Sequence, residues 1–409
     1  MKNIELLAPA GNFEKLRFAL HYGADAVYCA GKSFGLRAFA GNFSDEELEE
    51  AVNYTHARGK KIYVTLNMYP HNEQLEGLEE YLAFLNRIQP DAILVADPGV
   101  YSFTQAMDFT VPIHISTQAT IVNWAGVKFW QEQNGIERVV LARELSLDEI
   151  ETISQKTETE LEIFVHGAMC MSYSGRCLLS NYMTGRDANQ GECAQPCRWN
   201  YAIVEEKRPG VYYPIEQDQN GSYVFNSYDL CTLERMPEIL EKDLLHSLKI
   251  EGRMKSLYYV STIIRCYRHV IDYYLQHGEV DAEEMRYWLD DLEKVSHRPY
   301  TTGFLFGRPE DNAVNNTSTA YIKPYDFVGV VQSYDKESGI ATIEQRNKMS
   351  VGETIQFFGC NFKEYDYKIE EMYDEDMLAI DSAPHAQQII KLKVPFEVEP
   401  MDLIRKRLD

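Results

Sequence analysis

Residues 162–180 read EIFVHGAMCMSYSGRCLLS, an apolar run that passes into a segment with two cysteines. The run is short and rich in apolar and β-branched side chains, which is typical of a buried parallel strand. Five of the eight cysteines fall in one window that starts here: Cys170, Cys177, Cys193, Cys197 and Cys231. Thiols that cluster in a chain without an export signal favour metal ligation over disulfides. We therefore expect a strand that ends beside a metal site.

Similar apolar runs precede this stretch, and one follows it. The eight predicted strands are residues 4–7, 26–29, 62–66, 92–95, 113–116, 138–141, 161–165 and 248–251. The helices predicted between and after them are residues 13–22, 45–56, 75–88, 147–154 and 257–274. Two of these helices open with capping boxes, Ser44 with Glu47 and Ser146 with Glu149. This alternation predicts an α/β fold, a (β/α)8 TIM-like barrel. A doubly wound open sheet is the alternative, although no G-x-G-x-x-G follows the first strand.

The domain organisation follows from changes in sequence texture. We predict a catalytic barrel over residues 1–305, which ends with a helix at 282–296 and has a cysteine-bearing insertion at about 171–243 after strand 7. Within the insertion, residues 201–204 and 223–226 suggest a β-hairpin. A polar linker is predicted at 306–322. Alternating runs at 327–333, 340–345, 354–358, 367–372 and 389–393 then predict a small antiparallel, β-barrel-like domain over 323–409.

The composition limits where the protein works and what it binds. No run reaches the roughly 20 apolar residues of a membrane span, and no secretory signal is present, so we expect a cytoplasmic protein without membrane contact. The formal net charge of −23 repels nucleic acid. RNA binding would therefore need a local basic surface and would depend strongly on salt.

The spacing of the clustered cysteines gives a candidate ligand set. It reads Cys170-x6-Cys177-x15-Cys193, with Cys231 38 residues further on. Four thiolates suit an iron–sulfur cluster, but this spacing matches neither the compact ferredoxin run nor a paired zinc ribbon. Cys197 is a fifth candidate because Cys193-x3-Cys197 is also able to chelate. Spacing alone does not choose iron over zinc, and buried structural thiols are the remaining alternative.

Polar residues near the carboxyl ends of the predicted strands form the candidate active site, because barrel enzymes place their sites at that face. The catalytic candidates are His166, Arg143 and Glu144, and the substrate-binding candidates are Arg37, Asn67, Gln118, Glu251, Arg253 and Lys255. Each has an alternative structural interpretation. His166 is a base, a ligand-orienting donor or a hydrogen-bonded barrel histidine, and Arg143 and Glu144 line the mouth or pair with each other. Arg253 and Lys255 hold a phosphate or carboxylate at a helix start, or are solvated charges.

The signature E-x-F-x2-G-[SA]-[LIVM]-C-x4-G-x-C-x-[LIVM]-S is complete between Glu162 and Ser180. By this signature the chain resembles the collagenase-like peptidase family U32. The segments LLAPAGN at residues 6–12, GECAQPCRWNY at 191–201 and KIEGRMKS at 249–256 are also similar to that family. The resemblance covers most of the chain, including the C-terminal β domain.

The resemblance implies two kinds of activity. The family name refers to a protease activity against collagen. Other members resemble iron–sulfur proteins that support oxygen-independent hydroxylation of ribosomal RNA, of ubiquinone precursors, or of the wobble uridine of tRNA with prephenate as oxygen source. Length, the β domain and the QPCRW segment are most similar to the tRNA branch. By resemblance, the ligands of a 4Fe–4S cluster are Cys170, Cys177, Cys193 and Cys231, and a different ligand set in a related branch keeps Cys197 open.

Three functions are therefore carried forward. The first is 5-hydroxylation of uridine in tRNA by an iron–sulfur enzyme, favoured because a peptidase leaves four co-located thiols without a role. The second is the peptidase, with Cys170 beside His166 as its nearest nucleophile and base. The third is a non-catalytic assembly partner with a structural metal. Besides tRNA, we expect a paralogous U32 subunit or a homodimer as partner, since two subunits would supply basic surface.

Overall fold

A computed structural model describes residues 4–34, 42–170, 172–199, 202–204, 212–214, 228–307, 322–360 and 363–408. Its first part is a closed barrel of eight parallel strands. In chain order these strands are β1 Glu5–Pro9, β2 Ala26–Cys29, β3 Lys61–Leu66, β4 Ala92–Val95, β5 Ile113–Ile115, β6 Ile136–Val140, β7 Glu160–Ala168 and β11 Ser247–Ile250. Each pairs with the next, and β11 pairs with both β7 and β1. This closure confirms the TIM-like barrel, and the open doubly wound sheet is wrong.

Most of the helices lie around the barrel and cover the outer side chains of its strands, and one short helix lies in the insertion after β7. They are α1 Phe13–His21, α2 Asp45–His56, α3 Leu78–Ile88, α4 Pro98–Gln105, α5 Trp124–Gln131, α6 Leu147–Ser154, α7 Leu179–Thr184, α8 Met236–Glu241, α9 Leu257–His277 and α10 Ala282–Glu293. Both predicted capping boxes are present, at Ser44 and Ser146. The start of α3 was predicted three residues too early, because the chain forms a 3-10 turn at Asn72–Leu75 and Gly77 then takes a left-handed conformation. Among the helices of these ranges, none is long and apolar enough to cross a membrane.

A buried network of charges fills the lower half of the barrel interior. Arg138 on β6 contacts Glu5 on β1 at 2.5 Å and Glu162 on β7 at 3.2 Å. Lys249 on β11 contacts Glu162 at 2.9 Å. Burial alone would raise the pKa of Glu162, but the two cations beside it lower that pKa to about 2. Because each carboxylate is paired, charged residues are tolerated inside otherwise apolar strands.

The insertion after β7 packs on the barrel through a further strand. β10 Asp229–Cys231 runs antiparallel to the end of β7 and parallel to β12 Tyr300–Thr301. A small hairpin joins β8 Ala202–Val204 to β9 Tyr212–Pro214. The predicted partner of β8, residues 223–226, lies outside the described residues, and the strand that pairs with β8 in the structure is β9. Nearly all of the predicted linker at 306–322 also lies outside the described residues.

The C-terminal region forms a separate antiparallel sheet, as predicted. Its six strands are β13 Tyr325–Asp335, β14 Ile340–Gln345, β16 Thr354–Phe358, β17 Glu364–Lys368, β19 Ile389–Lys393 and β20 Leu403–Arg407, in the order β17-β16-β20-β13-β14-β19. Short strands β15 Met349–Ser350 and β18 Ser382–Ala383 form a second pair. Tyr367 on edge strand β17 donates to the Lys393 carbonyl at 2.9 Å on edge strand β19. The sheet is therefore curled, with its own apolar core inside.

A buried cluster of charged residues fixes this sheet against the barrel helices. Asp291 on α10 contacts Arg265 on α9 at 2.9 Å and Arg405 on β20 at 2.7 Å. Glu364 on β17 contacts both arginines at 3.0 Å. All three residues of the Arg265–Asp291–Arg405 group are completely buried. Since removal of one member would leave a buried charge uncompensated, the cluster holds the two regions in one orientation.

Candidate functional site

The carboxyl ends of the barrel strands carry a layer of hydrogen-bonded polar side chains. Arg253, in the loop after β11, donates from Nη1 to Thr65 Oγ1 at the end of β3 at 3.1 Å, and its side chain is buried. Asn67, after β3, donates from Nδ2 to Ser116 Oγ, after β5, at 3.0 Å. Loops that are far apart in the sequence are thus joined across the mouth of the barrel. Three predicted mouth residues, Asn67, Gln118 and Arg253, lie in this layer or directly above it.

Arg143 and Glu251 form the most strongly ionic contact of the mouth. Arg143 Nη2 lies 3.2 Å from Glu251 Oε2, and Nη1 donates to the Ala168 carbonyl at 2.5 Å. The same guanidinium lies 3.8 Å from the centre of the Phe164 ring. Both charged side chains are nearly buried, so the pair interacts in a medium of low dielectric. Arg143 therefore pairs with Glu251 and not with Glu144, whose pKa is raised by burial.

Two glycines, one on β7 and one after β1, let these segments contact the backbone that follows β11. Gly167 has a φ of +107°, and a Cβ there would lie 2.6 Å from the Glu251 carbonyl oxygen. At Gly11, a Cβ would lie 2.3 Å from the Arg253 carbonyl oxygen. Only glycine allows this approach of one backbone to another without displacing it. Glu251 and Arg253 thus keep their positions because Gly167 and Gly11, which face their carbonyl oxygens, have no side chain.

The first half of the insertion is fixed to the mouth by hydrogen bonds. Tyr69, after β3, donates from its hydroxyl to the Gln118 carbonyl at 2.5 Å, and its own backbone carbonyl accepts from Gln190. Thr120 Oγ1 donates to the Ser174 carbonyl at 3.0 Å. Gly175, with a φ of +77°, packs so closely that a Cβ would lie 2.6 Å from the Gln118 carbonyl oxygen. The loops after β3 and β5 therefore hold the segment that contains Cys177.

His166 lies beneath this layer and is enclosed by aromatic rings. Its ring centre is 5.5 Å from those of Tyr267 and Tyr300 and 5.9 Å from that of Tyr259, and its Nδ1 is 3.4 Å from the Tyr267 hydroxyl. Burial, reinforced by the charges of Lys255 and His297, lowers the pKa of His166 to about 3. The imidazole is therefore neutral near pH 7 and a weak base. It is buried in the wall of the site, and a catalytic role stays a prediction.

The remaining predicted polar residues divide between the mouth and its margin. The Lys255 ammonium lies 5.0 Å from the centre of the Tyr259 ring, at the start of α9. Glu144 is half-buried at the start of the loop after β6. Arg37 falls outside the described residues. Of the residues that join the mouth together, Thr65, Tyr69 and Ser116 were missed, because neither hydroxyl groups nor a tyrosine at a strand end form a distinctive motif.

The four predicted ligand cysteines are not joined in disulfides, and they occupy different local environments. Cys170 is exposed two residues beyond β7, Cys177 is half-buried on the docked segment, and Cys193 is exposed and accepts from the Gln195 amide at 3.3 Å. Cys231 pairs in register with His166 on β7, whereas Cys170 lies four residues further along the chain, beyond the end of that strand. Its sulfur lies 3.9 Å from the Tyr267 hydroxyl, and burial raises the pKa of this thiol to about 11.

These thiols match an iron–sulfur cluster in chemical type but do not form an assembled site. No three His, Cys, Asp or Glu side chains within the described ranges, which include all four cysteines, lie close enough to share a metal ion. Cys231 and Cys170 are held at different heights along β7. Cluster binding therefore stays a prediction, as does the choice of Cys197 or of zinc.

Comparisons with known proteins place this chain among related sequences. Peptidase family U32 matches residues 11–315, and the U32 C-terminal domain matches residues 323–405. The chain is 42% identical to tRNA hydroxylation protein P1 of Bacillus subtilis (strain 168), over 99% of this chain and 95% of that protein. It is 37% identical to tRNA hydroxylation protein P of Escherichia coli (strain K12), over 97% and 94%.

A more distant relative has a different name. The chain is 29% identical to the Collagenase of Porphyromonas gingivalis (strain ATCC BAA-308 / W83), over 98% of this chain and 97% of that protein. The family assignment rests on matches that span both the barrel and the C-terminal sheet. The sequence resemblance is thus confirmed, and the chain belongs to peptidase family U32.

Proposed function

We propose that this protein takes part in tRNA hydroxylation and adds a hydroxyl group to C5 of the wobble uridine. The observation that carries the proposal is the 42% identity, over nearly the full length of both chains, to a protein named for tRNA hydroxylation. The hydroxylation takes place in the cytoplasm, where tRNA is available. The proposal includes a second subunit, a homodimer partner or a paralogous subunit, that completes the RNA-binding surface.

The polar layer at the mouth supports a hydroxylation that uses a carboxylate-bearing oxygen donor. Replacement of the C5–H bond of uridine by a C5–OH bond needs an oxygen donor and removes electrons from the base. Prephenate is a dicarboxylate, and the guanidinium of Arg253 with the ammonium of Lys255 would attract its negative charge. Arg143, held by Glu251 and Ala168, forms one rigid wall of the same cavity mouth.

The cofactor we propose is a 4Fe–4S cluster held by Cys170, Cys177, Cys193 and Cys231. The soft thiolate donors that four cysteines at the β7 end and on the insertion would supply support it. When bound, such a cluster supplies one-electron transfer. The protein holds Cys177 in place through the loops after β3 and β5, and the Tyr267 hydroxyl lies 3.9 Å from the Cys231 sulfur.

Mass spectrometry of tRNA nucleosides tests the proposed reaction. In a strain that lacks this gene and its paralogues, the wild-type chain should restore 5-hydroxyuridine derivatives, and Arg253→Gln should restore at most a few per cent of them. Arg286→Gln removes an exposed arginine of α10 and serves as the matched control, with wild-type levels expected. Unchanged 5-hydroxyuridine in the strain without the gene would refute the proposal.

Anaerobic reconstitution tests the cluster independently of turnover. Wild-type protein should bind close to four iron and four sulfide per chain, and Ser substitution of any of the four cysteines should lower both contents. Cys360→Ser, in the C-terminal region, should leave them unchanged. Cys197→Ser decides between the two ligand sets, because a ligand role at position 197 would also lower the iron content.

The peptidase alternative is tested with gelatin. Here the described residues offer no hydrogen bond between a cysteine and a histidine, and His166 faces tyrosine rings. We therefore expect no gelatin cleavage above that of Cys170→Ser. Cleavage by the wild type that disappears in Cys170→Ser would instead favour the peptidase.

A further inference from the structure

The insertion carries an unusual concentration of exposed apolar side chains. Of the fourteen large hydrophobic residues that are exposed in the described part of the chain, five lie between residues 173 and 199. This group, which we name the aromatic patch, consists of Tyr173, Leu178, Tyr182, Met183 and Trp199. Tyr182 is 88% exposed, although a tyrosine usually buries most of its ring. Grouped exposed apolar residues commonly mark a binding surface.

The patch is built on a locally ordered unit. The Tyr182 amide donates to the Leu178 carbonyl, so these two side chains lie one helical turn apart on the same face of α7. The 3-10 turn Pro196–Arg198, which leads into Trp199, packs beside α7. The Ala194 amide also donates to Ser180 Oγ at 2.9 Å. The aromatic side chains are therefore presented on one platform.

The charge of this platform differs from that of the protein as a whole. Between residues 172 and 199 the sequence has three arginines against two carboxylates, a net charge of +1, whereas the whole chain has −23. Arg176 is exposed, and it lies close enough to Tyr69 to oppose the rise in the pKa of Tyr69 that burial causes. A polyanion would be repelled by most of the surface and would encounter least repulsion here.

The platform also borders the candidate active site. Gly175 and Ser174 contact Gln118 and Thr120, which belong to the loop after β5 at the mouth of the barrel. Asn189 Nδ2 donates to the Cys177 carbonyl at 3.2 Å, which keeps α7 and the docked segment together. A ligand that rests on the aromatic patch would therefore extend toward the mouth.

We infer that the aromatic patch binds the unpaired bases of an RNA loop, with Tyr182 and Trp199 as stacking surfaces and Arg176 as a phosphate contact. The inference rests on the proposed function, and it identifies the unpaired bases beside the reacting base as the part of the substrate that the patch binds. Single-stranded RNA is recognised by stacking on exposed aromatic rings combined with positive charge, whereas duplex RNA presents no free base faces. Five apolar side chains are too few to supply the buried area of a stable protein–protein complex.

Fluorescence anisotropy with two RNAs tests the inference on the full-length chain. One RNA is a labelled anticodon stem-loop, and the other is a blunt duplex of the same stem. Tyr182→Ala and Trp199→Ala should each weaken binding of the stem-loop by about tenfold or more, since a base stacked on an aromatic ring contributes that much. Tyr182→Phe keeps the ring and should bind as the wild type does. Phe129→Ala removes a 58% exposed ring of α5 and is the matched control, with unchanged binding.

Salt dependence tests the role of Arg176 separately. Arg176→Gln should reduce the slope of log affinity against log salt by about 0.7, the value for one phosphate contact to a single strand. Arg286→Gln should leave the slope unchanged.

Three results would overturn the inference. The first is stem-loop binding by Tyr182→Ala and Trp199→Ala that equals that of the wild type, and the second is a wild-type preference for the duplex. The third is a Tyr182→Ala variant whose assembly in solution has a different molecular mass but whose RNA affinity is unchanged, which would identify a protein interface. Binding is measured without turnover. A wild-type chain that binds the loop through the patch but forms no 5-hydroxyuridine would therefore defeat the proposed function alone.

Discussion

Arg143 and Glu251 connect three barrel strands at the mouth of the site. The guanidinium bridges Glu251 at 3.2 Å, at the end of β11, and the carbonyl of Ala168 at 2.5 Å, the last residue of β7, while Arg143 itself follows β6. β7 leads directly to Cys170, so this salt bridge fixes the base of the segment that holds the proposed ligands. The salt bridge therefore both positions this segment and neutralises two nearly buried charges.

Removal of one partner of this pair should cost more than removal of both. Arg143→Gln leaves a nearly buried carboxylate without its cation, and we expect a loss of about 3–5 kcal/mol in the free energy of unfolding. The double variant Arg143→Gln with Glu251→Gln should recover part of that loss, because no uncompensated charge remains. Urea denaturation of the two single variants and the double variant measures the coupling. Strictly additive losses would contradict the expected interaction.

The barrel interior should make stability depend on pH in the acid range. The pKa of Glu162 is lowered from 4.5 to about 2 in the folded protein. Its contribution is therefore fully present above pH 4.5 and is lost as the pH falls toward 2, with a total of about 3 kcal/mol. Glu162→Gln should be less stable than the wild type at pH 7 and should show a flatter decline between pH 4.5 and 2. Thermal unfolding across this range measures both effects, and parallel curves for the two proteins would contradict the expectation.

Docking of the insertion should depend on the absence of a side chain at position 175. A Cβ at Gly175 would lie 2.6 Å from the Gln118 carbonyl oxygen and 2.9 Å from the Tyr69 ring. Gly175→Ala should therefore displace the segment and increase its cleavage by trypsin at Arg176 or Arg186. Gly185 is the matched control, because it has a similar positive φ of +71° but no atom within 4 Å of an added Cβ. Gly185→Ala should cost only backbone strain of about 1 kcal/mol, with little change in cleavage.

The charged cluster between the barrel and the C-terminal sheet gives a fourth prediction. Asp291→Asn removes the carboxylate between Arg265 and Arg405, both fully buried, and so removes one of the two described carboxylates, Asp291 and Glu364, that form salt bridges with both cations. We expect a destabilisation of about 3–5 kcal/mol. Differential scanning calorimetry should then show the C-terminal region unfolding earlier than the barrel. Asp290→Asn, at the exposed neighbouring position on α10, should leave the thermogram unchanged.

The order of the barrel elements was predictable from local patterns. Buried strands such as Ala26–Cys29 and Ala92–Val95 are short apolar runs, and helices such as Asp45–His56 begin at capping boxes, so these bounds follow from neighbouring residues. The partner of β8 was not predictable, because a hairpin depends on which of several polar segments turns back. The strand Leu403–Arg407 was not predicted, because its charged residues obscure the alternation of apolar and polar side chains. It forms a strand because it pairs with β13 and β16 in the tertiary structure.

In the candidate site, too, some features followed from the sequence and others depended on the tertiary structure. In the structure Arg143, Glu251 and Arg253 lie at the mouth, because each follows a strand of a parallel barrel. Their partners were not foreseeable, because Ala168 and Thr65 come from other strands and contribute a backbone carbonyl or a hydroxyl. The glycine contacts at Gly167 and Gly175 depend on distances between backbones, which a linear pattern does not contain.

By itself, then, the sequence determined the order of the barrel strands, the family and the residues that are able to do chemistry, since these depend on hydrophobic period, capping and motif. The tertiary structure decided which charges neutralise each other, that His166 is buried among tyrosines, and where the cysteine-bearing segment docks. Those properties depend on residues more than a hundred positions apart, such as Arg143 with Glu251 and Arg253 with Thr65, meeting in a medium of low dielectric. Burial and distance, rather than residue type, set the chemistry of the site.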